Sequence, residues 1–237
     1  MTDSSLGVAV VMPAAGSGRR FGSDRNKLFA LLDGKPIWER SAERLREHQA
    51  VRRIVMPVSA DDLSYFRSEV ADVVAQLGIE IVLGGAERTD SVGAGLKACE
   101  GDDSIDLVAI HDAARPLVTV DELERVFRKA SQCGAAILAV PMTATVKQSL
   151  DEGESCSTID RSTLWLAQTP QVFKPEVLRQ AYARHRGRPA TDDAELVSRI
   201  GVDVALVEGS SENIKITHPG DLTIAEAIFN SRKNVTR

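Results

Sequence analysis

Three segments of this chain carry residues suited to handling phosphate, a nucleotide base or a divalent cation. Pro13-Ala14-Ala15-Gly16-Ser17-Gly18-Arg19-Arg20 joins small residues to two arginines, and Lys27 follows seven residues after Arg20. Small residues let backbone N–H groups approach a phosphate closely, and the cations add charge. The glycines make no dinucleotide fingerprint, because Gly22 stands one residue too far beyond Gly18, and no G-x-x-x-x-G-K-[ST] run exists. Spacing alone leaves a phosphate loop and an ordinary glycine-rich turn both open. In His111-Asp112-Ala113-Ala114-Arg115-Pro116, Asp112 either holds Mg²⁺ over phosphates or caps the next turn, and His111 reads as packing. In Gly84-Gly85-Ala86-Glu87-Arg88-Thr89-Asp90-Ser91, Arg88 and Ser91 share one face of a helix start. They suit an anion or a base there, and a plain capping turn fits equally. Asp160-Arg161, Gln168-Thr169-Pro170-Gln171 and the run from Glu212 to Thr217 add scattered polar groups.

The elements that must position these residues alternate. Apolar, β-branched runs at 8–12, 54–58, 79–83, 106–110 and 135–140 read as strands. Between them lie helical patterns, one opened by Pro36 and running to about His48 with Ile37, Ala42 and Leu45 inward, one over 61–77, one from about Arg88 with Val92, Leu96 and Cys99 on one face, and one over 120–131. Strands alternating with helices imply βαβ units and a mostly parallel sheet covered on both faces. In such a sheet, ligands bind beyond the carboxyl ends of the strands, where the loops that follow residues 12, 83 and 110 all emerge. After Pro141 the rhythm breaks into two short polar-alternating runs, 145–150 and 157–159, around Asp151-Glu152-Gly153-Glu154, which is a hairpin pattern. A lone hairpin is marginal, so it must pack on something, such as a second subunit. Helices near 175–185 and 192–200, strands at 202–207 and 214–216, and a last helix from about Asp221 complete the expectation of one domain, 1–237, with a protruding arm.

Composition narrows the class. The chain has 237 residues, 43% apolar and 27% charged, with a net charge of -5. That is enough to bury a core, and the acidic balance with only 4% aromatics argues against nucleic acid as a partner. Cys99, Cys133 and Cys156 are widely spaced, with no CxxC pair, which suggests neither a disulfide framework nor a zinc site and points to the reducing cytoplasm. Residues 6–15 lack the basic flank of a signal peptide, and no apolar run approaches the ~18 residues of a membrane span.

Taken in order, the segments resemble the 2-C-methyl-D-erythritol 4-phosphate cytidylyltransferase family. Those that carry the resemblance are Pro13 to Arg20 with Lys27, Gly34-Lys35-Pro36-Ile37, Gly84 to Val92, His111 to Pro116, Pro141 with Thr145 and Lys147, Asp160-Arg161, Ala167 to Gln171, Thr191-Asp192-Asp193-Ala194, and Asn213 to Thr217. The resemblance implies an α/β, Rossmann-like nucleotidyltransferase fold and a homodimer clasped by a β-arm at about 144–163. It implies CTP against Ala14, Ala15, Gly16, Gly18, Lys27, Gly85, Arg88, Ser91 and Ala113, with Arg20 and Lys27 stabilising the transition state. It further implies that Asp112, Arg115, Thr145, Arg161, Thr191 and Lys215 position a polyol phosphate, with Asp112 also near a Mg²⁺ ion. The chain departs from the family pattern at Asn26-Lys27-Leu28, where many members carry Pro-Lys-Gln. Asparagine lacks proline's fixed φ.

The implied reaction is in-line attack of the acceptor's phosphate oxygen on the α-phosphorus of CTP. A phosphate monoester has a second pKa of ~6, so the nucleophile is ionised at neutral pH and needs no general base. That agrees with a sequence showing no evident Ser-His-Asp or Cys-His constellation. Three other readings share these residues: a cytidylyltransferase acting on ribitol 5-phosphate, a sugar-nucleotide pyrophosphorylase using another base, and a non-catalytic nucleotide-binding protein. Retention of Arg20, Lys27, Asp112, Arg161 and Lys215 argues against the last.

Overall fold

The computed structural model describes residues 6–16 and 26–235. Its first strand, β1 (Val8–Val11), is buried on both faces, as four consecutive apolar residues require. A single 3₁₀ turn (Lys27–Phe29) then leads through the two-residue strands β2 (Leu31–Leu32) and β3 (Lys35–Pro36) into α1 (Ile37–Arg46). β4 (Val51–Val58), α2 (Ala60–Ser68), α3 (Ala71–Gln76), β5 (Ile79–Leu83) and α4 (Arg88–Ala98) follow. β6 (Leu107–Ile110), α5 (Val120–Cys133) and β7 (Ala135–Pro141) continue the alternation. α5 has sharp ends for a local reason: Thr119 and Glu122 form a capping box at its start, and Gly134 closes it at φ 89°, a left-handed value that suits glycine. The arm is the antiparallel pair β8 (Val146–Gln148) and β9 (Ser157–Ile159), and β10 (Trp165–Phe173), α6 (Pro175–Arg184), α7 (Asp193–Ser198), β11 (Ala205–Glu208) and α8 (Pro219–Val235) finish the described chain.

Seven strands form one sheet in the order β11-β7-β10-β6-β1-β4-β5. β10 runs antiparallel to both its neighbours, and the other pairings are parallel. Successive residues sort to opposite faces, as the strand period demands. Val8 and Val10 join α1, α2, α3, α5 and α8 in one core, whereas Ala9 and Val11 join α4, α6 and α7 in the other. The chain leaves β1 toward β4 and β5 on one side and returns to place β6 on the other, so β1 and β6 flank the switch point. The loops after both strands open there.

Five expectations need correction. The helix over 61–77 is two helices, because Val70 leaves helical backbone at φ -124°, ψ 20°. Both helices face the same core, through Phe66 and Val74. Residues 214–216 are extended but belong to no ladder; the Ile216 N–H donates instead to the Ala114 carbonyl at 2.9 Å. The strand expected at 202–207 lies at Ala205–Glu208, and α8 starts at Pro219 rather than Asp221. β10 is a strand where the sequence suggests none, since Gln168-Thr169-Pro170-Gln171 reads as a turn. Here those polar side chains are buried, and Pro170, after a cis peptide bond, sits where the ladder with β7 is interrupted between Ala167 and Gln171.

The approach of α4 to the sheet depends on Gly95. A Cβ at this position would lie 2.4 Å from Val11 Cγ1, whereas one at Gly93 would meet only Tyr182 ring atoms, at 3.8 Å and beyond. Alanine at either position gains about 0.5–1 kcal/mol of helix propensity. We therefore expect Gly93→Ala to be neutral or stabilising, and Gly95→Ala to lose about 1–2 kcal/mol net from overpacking, read by urea unfolding.

Candidate active site

The loops at the switch point enclose a cavity of about 190 Å³. Its walls are residues 13–16 after β1, Lys27 and Leu28 on the 3₁₀ turn, residues 85–88 with Ser91 at the start of α4, residues 112–114 after β6, and Lys215. Two walls touch closely: a Cβ on Gly84 would lie 2.8 Å from Ala15 Cβ and equally close to Ser91 Oγ, so only glycine fits. Ser91 Oγ accepts the Gly85 N–H at 3.1 Å, which fixes the loop against the helix it enters.

Asp112 lies at the centre of the cavity's charge. Lys215 Nζ is 2.8 Å from its Oδ2, Arg115 Nε is 3.6 Å from the same oxygen, and Arg88 Nε is 3.9 Å from Oδ1. Burial alone would push this carboxyl up, but Lys215, Arg88 and Arg115 together hold it well below the usual carboxylate range. Arg88 is itself tied down on its far side. Its guanidinium bonds Asp193 Oδ2 at 2.7 Å, and Asp193 is fully buried at the start of α7. Tyr182 on α6 donates its hydroxyl to Asp193 Oδ1 at 2.6 Å. Burial followed by the Asp193 charge pushes the Tyr182 phenol up, which keeps it a neutral donor. Gln171 on β10 accepts the Asp193 and Ala194 backbone N–H groups at 3.0 and 2.9 Å, fastening α7 to the sheet.

The segment 213–216 is strapped beside the cavity by three polar contacts. Arg115 donates to the Asn213 carbonyl at 2.7 Å, Ile216 donates to Ala114 O, and Lys27 Nζ donates to Ile216 O at 2.9 Å. Below Asp112 lies His111, fully buried. Its Nε2 is 3.1 Å from the Arg115 carbonyl, which can only accept, so Nε2 carries the proton. Nδ1 is then the acceptor for Thr169 Oγ1 at 3.2 Å, and the same Oγ1 accepts the Asp112 N–H at 3.0 Å. Both ring nitrogens are committed to holding the loop, and burial pushes the imidazole down to about 4.

This arrangement binds and balances negative charge. Arg88, Arg115 and Lys215 surround one ionised, ion-paired carboxylate, Lys27 lines the same cavity, and the neighbouring histidine has no nitrogen to spare for proton transfer. Of the residues expected at the site, Ala14, Ala15, Gly16, Lys27, Gly85, Arg88, Ser91, Asp112, Ala113 and Lys215 line the one cavity. Arg115 adjoins it through Asp112. Thr145 and Arg161 are exposed on the arm, and Thr191 is exposed, with its hydroxyl and N–H on Glu195 Oε2. None of these three lines the cavity of the single chain. Gly18 and Arg20 lie outside the described residues. Sequence reasoning gives no part to Tyr182 and meets Asp193 only within a family segment; Asp193 stands 105 residues from Arg88, a separation no local pattern reveals.

Comparison with known proteins gives a consistent result. The family profile described as 2-C-methyl-D-erythritol 4-phosphate cytidylyltransferase matches residues 8–231. A protein of that name from Rhodopirellula baltica is 51% identical over 232 residues, covering 94% of this chain and 95% of its own length. One from Bacillus licheniformis is 40% identical over 226 residues, covering 94% and 96%. The crystal structure of the enzyme of that name from Thermus thermophilus superposes with a TM-score of 0.77 at 34% identity, covering 94% of this chain and 98% of that one.

The His111 environment sets a pH signature. Above its ordinary value of 6.5 neither folded nor unfolded chain binds the proton, and between 6.5 and about 4 only the unfolded chain does. Stability contributed at this site is therefore complete above pH 6.5 and falls as pH drops through that window, by at most about 3 kcal/mol. We expect the His111 ring resonances to stay flat from pH 8 to 5 in NMR of the folded protein; a midpoint near 6.5 would show that the ring is not held as described.

Proposed function

We infer the reaction from descent and site together: this chain belongs to the 2-C-methyl-D-erythritol 4-phosphate cytidylyltransferase family, and it transfers CMP from CTP to that sugar-alcohol phosphate with release of pyrophosphate. The product is 4-diphosphocytidyl-2-C-methylerythritol, an isoprenoid precursor. The observation that carries the assignment of roles is the ring of cations around Asp112 at the mouth of the β1–β6 switch point.

We propose that the triphosphate lies along residues 14–16 with Lys27 on it, and that Gly85, Arg88, Ser91 and Ala113 hold the rest of the nucleotide. We propose further, from the family pattern alone, that Gly18 contacts the nucleotide and that Arg20 joins Lys27 in stabilising the transition state. The acceptor sits across Asp112, with Lys215 and Arg115 near its phosphate and the Asp112 carboxylate toward its hydroxyls. An oxygen of that phosphate forms the new bond to the α-phosphorus as the bond from α-phosphorus to the bridging oxygen breaks, and pyrophosphate leaves with the electron pair. Charge accumulates on the leaving group and around phosphorus, where fixed cations act most strongly.

The cavity fits a Mg²⁺ ion only as a companion of the nucleotide. No group of three or more potential ligand side chains occurs among the described residues, and Asp112 Oδ2 is taken by Lys215. Asp112 Oδ1, which Arg88 approaches no closer than 3.9 Å, would hold the ion together with phosphate oxygens, the usual manner for Mg²⁺. Bound there, the ion would supply neutralisation of phosphate charge.

We also propose that the enzyme is a homodimer formed through the arm at about 144–163, on a single nucleotidyltransferase domain. Leu150 is 90% exposed, and Trp165 and Leu166 beside the arm are 38% and 49% exposed, an apolar surface in search of cover. A dimer would bring Thr145 and Arg161 to the partner's cavity, and Thr191 would reach the acceptor in the same closed site. Cys99, Cys133 and Cys156 are unpaired thiols, which suits the cytoplasm.

The decisive assay is pyrophosphate release from CTP and Mg²⁺ with methylerythritol 4-phosphate or ribitol 5-phosphate. Release with the first alone is expected; release with the second alone would move the protein to another acceptor, and release with neither, from folded protein that binds CTP, would favour a non-catalytic role. Lys27→Ala should lose about 10²–10³ in kcat while remaining folded. Mixing Lys27→Ala with Arg161→Ala subunits should restore one working site per heterodimer; no recovery after demonstrated subunit exchange would remove the arm from the site.

A further inference from the structure

We propose that Asn26, tethered through Asp62, is a positioning residue that presets Lys27 for the nucleotide, an inference that rests on the reading of Lys27 as a transition-state cation. Lys27 stands on a 3₁₀ turn only three residues long, closed by Phe29 N–H to Asn26 O and Ala30 N–H to Lys27 O, both at 3.0 Å. So short a turn has little stability of its own. Its conformation is imposed from the Asn26 side chain. The amide oxygen accepts the Leu28 N–H at 3.2 Å, capping the turn, while the amide nitrogen reaches the Ala14 carbonyl at 3.3 Å and Asp62 Oδ2 at 3.2 Å. Asp62 is not a loose partner. It lies in the first turn of α2, its carboxylate accepts Ser59 Oγ at 2.8 Å, and its N–H caps back onto Ser59 at 3.1 Å.

The apolar side of the turn meets the same helix. Leu28 is buried, and Phe29 packs edge-on to Tyr65 with ring centres 4.8 Å apart. The root of Lys27 is thus fixed to the end of β1 and to α2, and its ammonium is steered to Ile216 O. Asn26 itself holds φ -54°, ψ 130°. That φ is one that a proline ring would enforce covalently. An untethered asparagine samples a far wider range, including left-handed backbone. In this chain, hydrogen bonds to two rigid elements do what a ring would do, and the residue acts on turnover through Lys27 without touching the substrate.

Steady-state kinetics of Asn26→Ala, Asn26→Pro, Asp62→Ala and Lys27→Ala, each checked for a native thermal transition, test the idea. Asn26→Ala should lower kcat about tenfold, as loss of one capping interaction allows, with the acceptor KM within about twofold. Asn26→Pro should recover most of that loss, since it restores the backbone constraint without the polar group. Asp62→Ala should fall between wild type and Asn26→Ala. Wild-type kcat in Asn26→Ala, or a proline variant as slow as the alanine one, would overturn the proposal. If Lys27→Ala alone retained normal turnover, the reading of Lys27 would fail instead, and the two failures are separable.

Discussion

A buried carboxylate shared among three cations is the interaction from which the rest of the site follows. Asp112 could not remain ionised below the protein surface by itself, and Lys215, Arg88 and Arg115 could not be gathered so closely without it. Each cation in turn draws in a different part of the chain: Lys215 the 213–216 strap, Arg88 the α6–α7 pair through Asp193, Arg115 the same strap through Asn213 O. The protein as a whole is acidic, so the positive charge here is local, placed where an anion must be met rather than spread over the surface.

The scaffold supplies the remaining order. Parallel strands on either side of the switch point end at one level, which brings residues 13–16 and 111–114 face to face although nearly a hundred residues separate them. His111 and Thr169 then fasten the second loop to β10, and Gln171 fastens α7. Side-chain pairs such as Arg88–Asp193 and Tyr182–Asp193 are joined to backbone contacts such as Arg115 to Asn213 O, so the site is held by a network in which few side chains can shift independently.

Much of this was legible in the sequence because the information was local. Apolar runs such as those at residues 8–11 and 79–83 announce strands, and Pro36 announces a helix start. The loops that line the cavity were visible as glycine- and alanine-rich breaks after those strands. What escaped was whatever depends on a distant partner. β10 reads as a turn because its buried Gln168 and Gln171 look like solvent-facing residues until Ser210 and Asp192 are known to receive them. Asp193 gives no sign of holding Arg88, and the loss of proline before Lys27 looks like a loosening until Ala14 and Asp62 appear beside Asn26.

The reversed direction of β10 has a geometric consequence. A strand antiparallel to its neighbours presents its first residues at the edge where theirs end. Trp165 therefore sits at the base of the arm, Thr169 supports Asp112, and Phe173 is in the core, all in order along one stretch of backbone. The four steps from Trp165 to Thr169 span at most about 13 Å of extended chain. The separation between the arm's root and the charged centre is thus set by covalent bond lengths rather than by the packing of one surface on another. β10 is the molecule's ruler: it ties the root of the arm to the chemistry along one stretch of backbone.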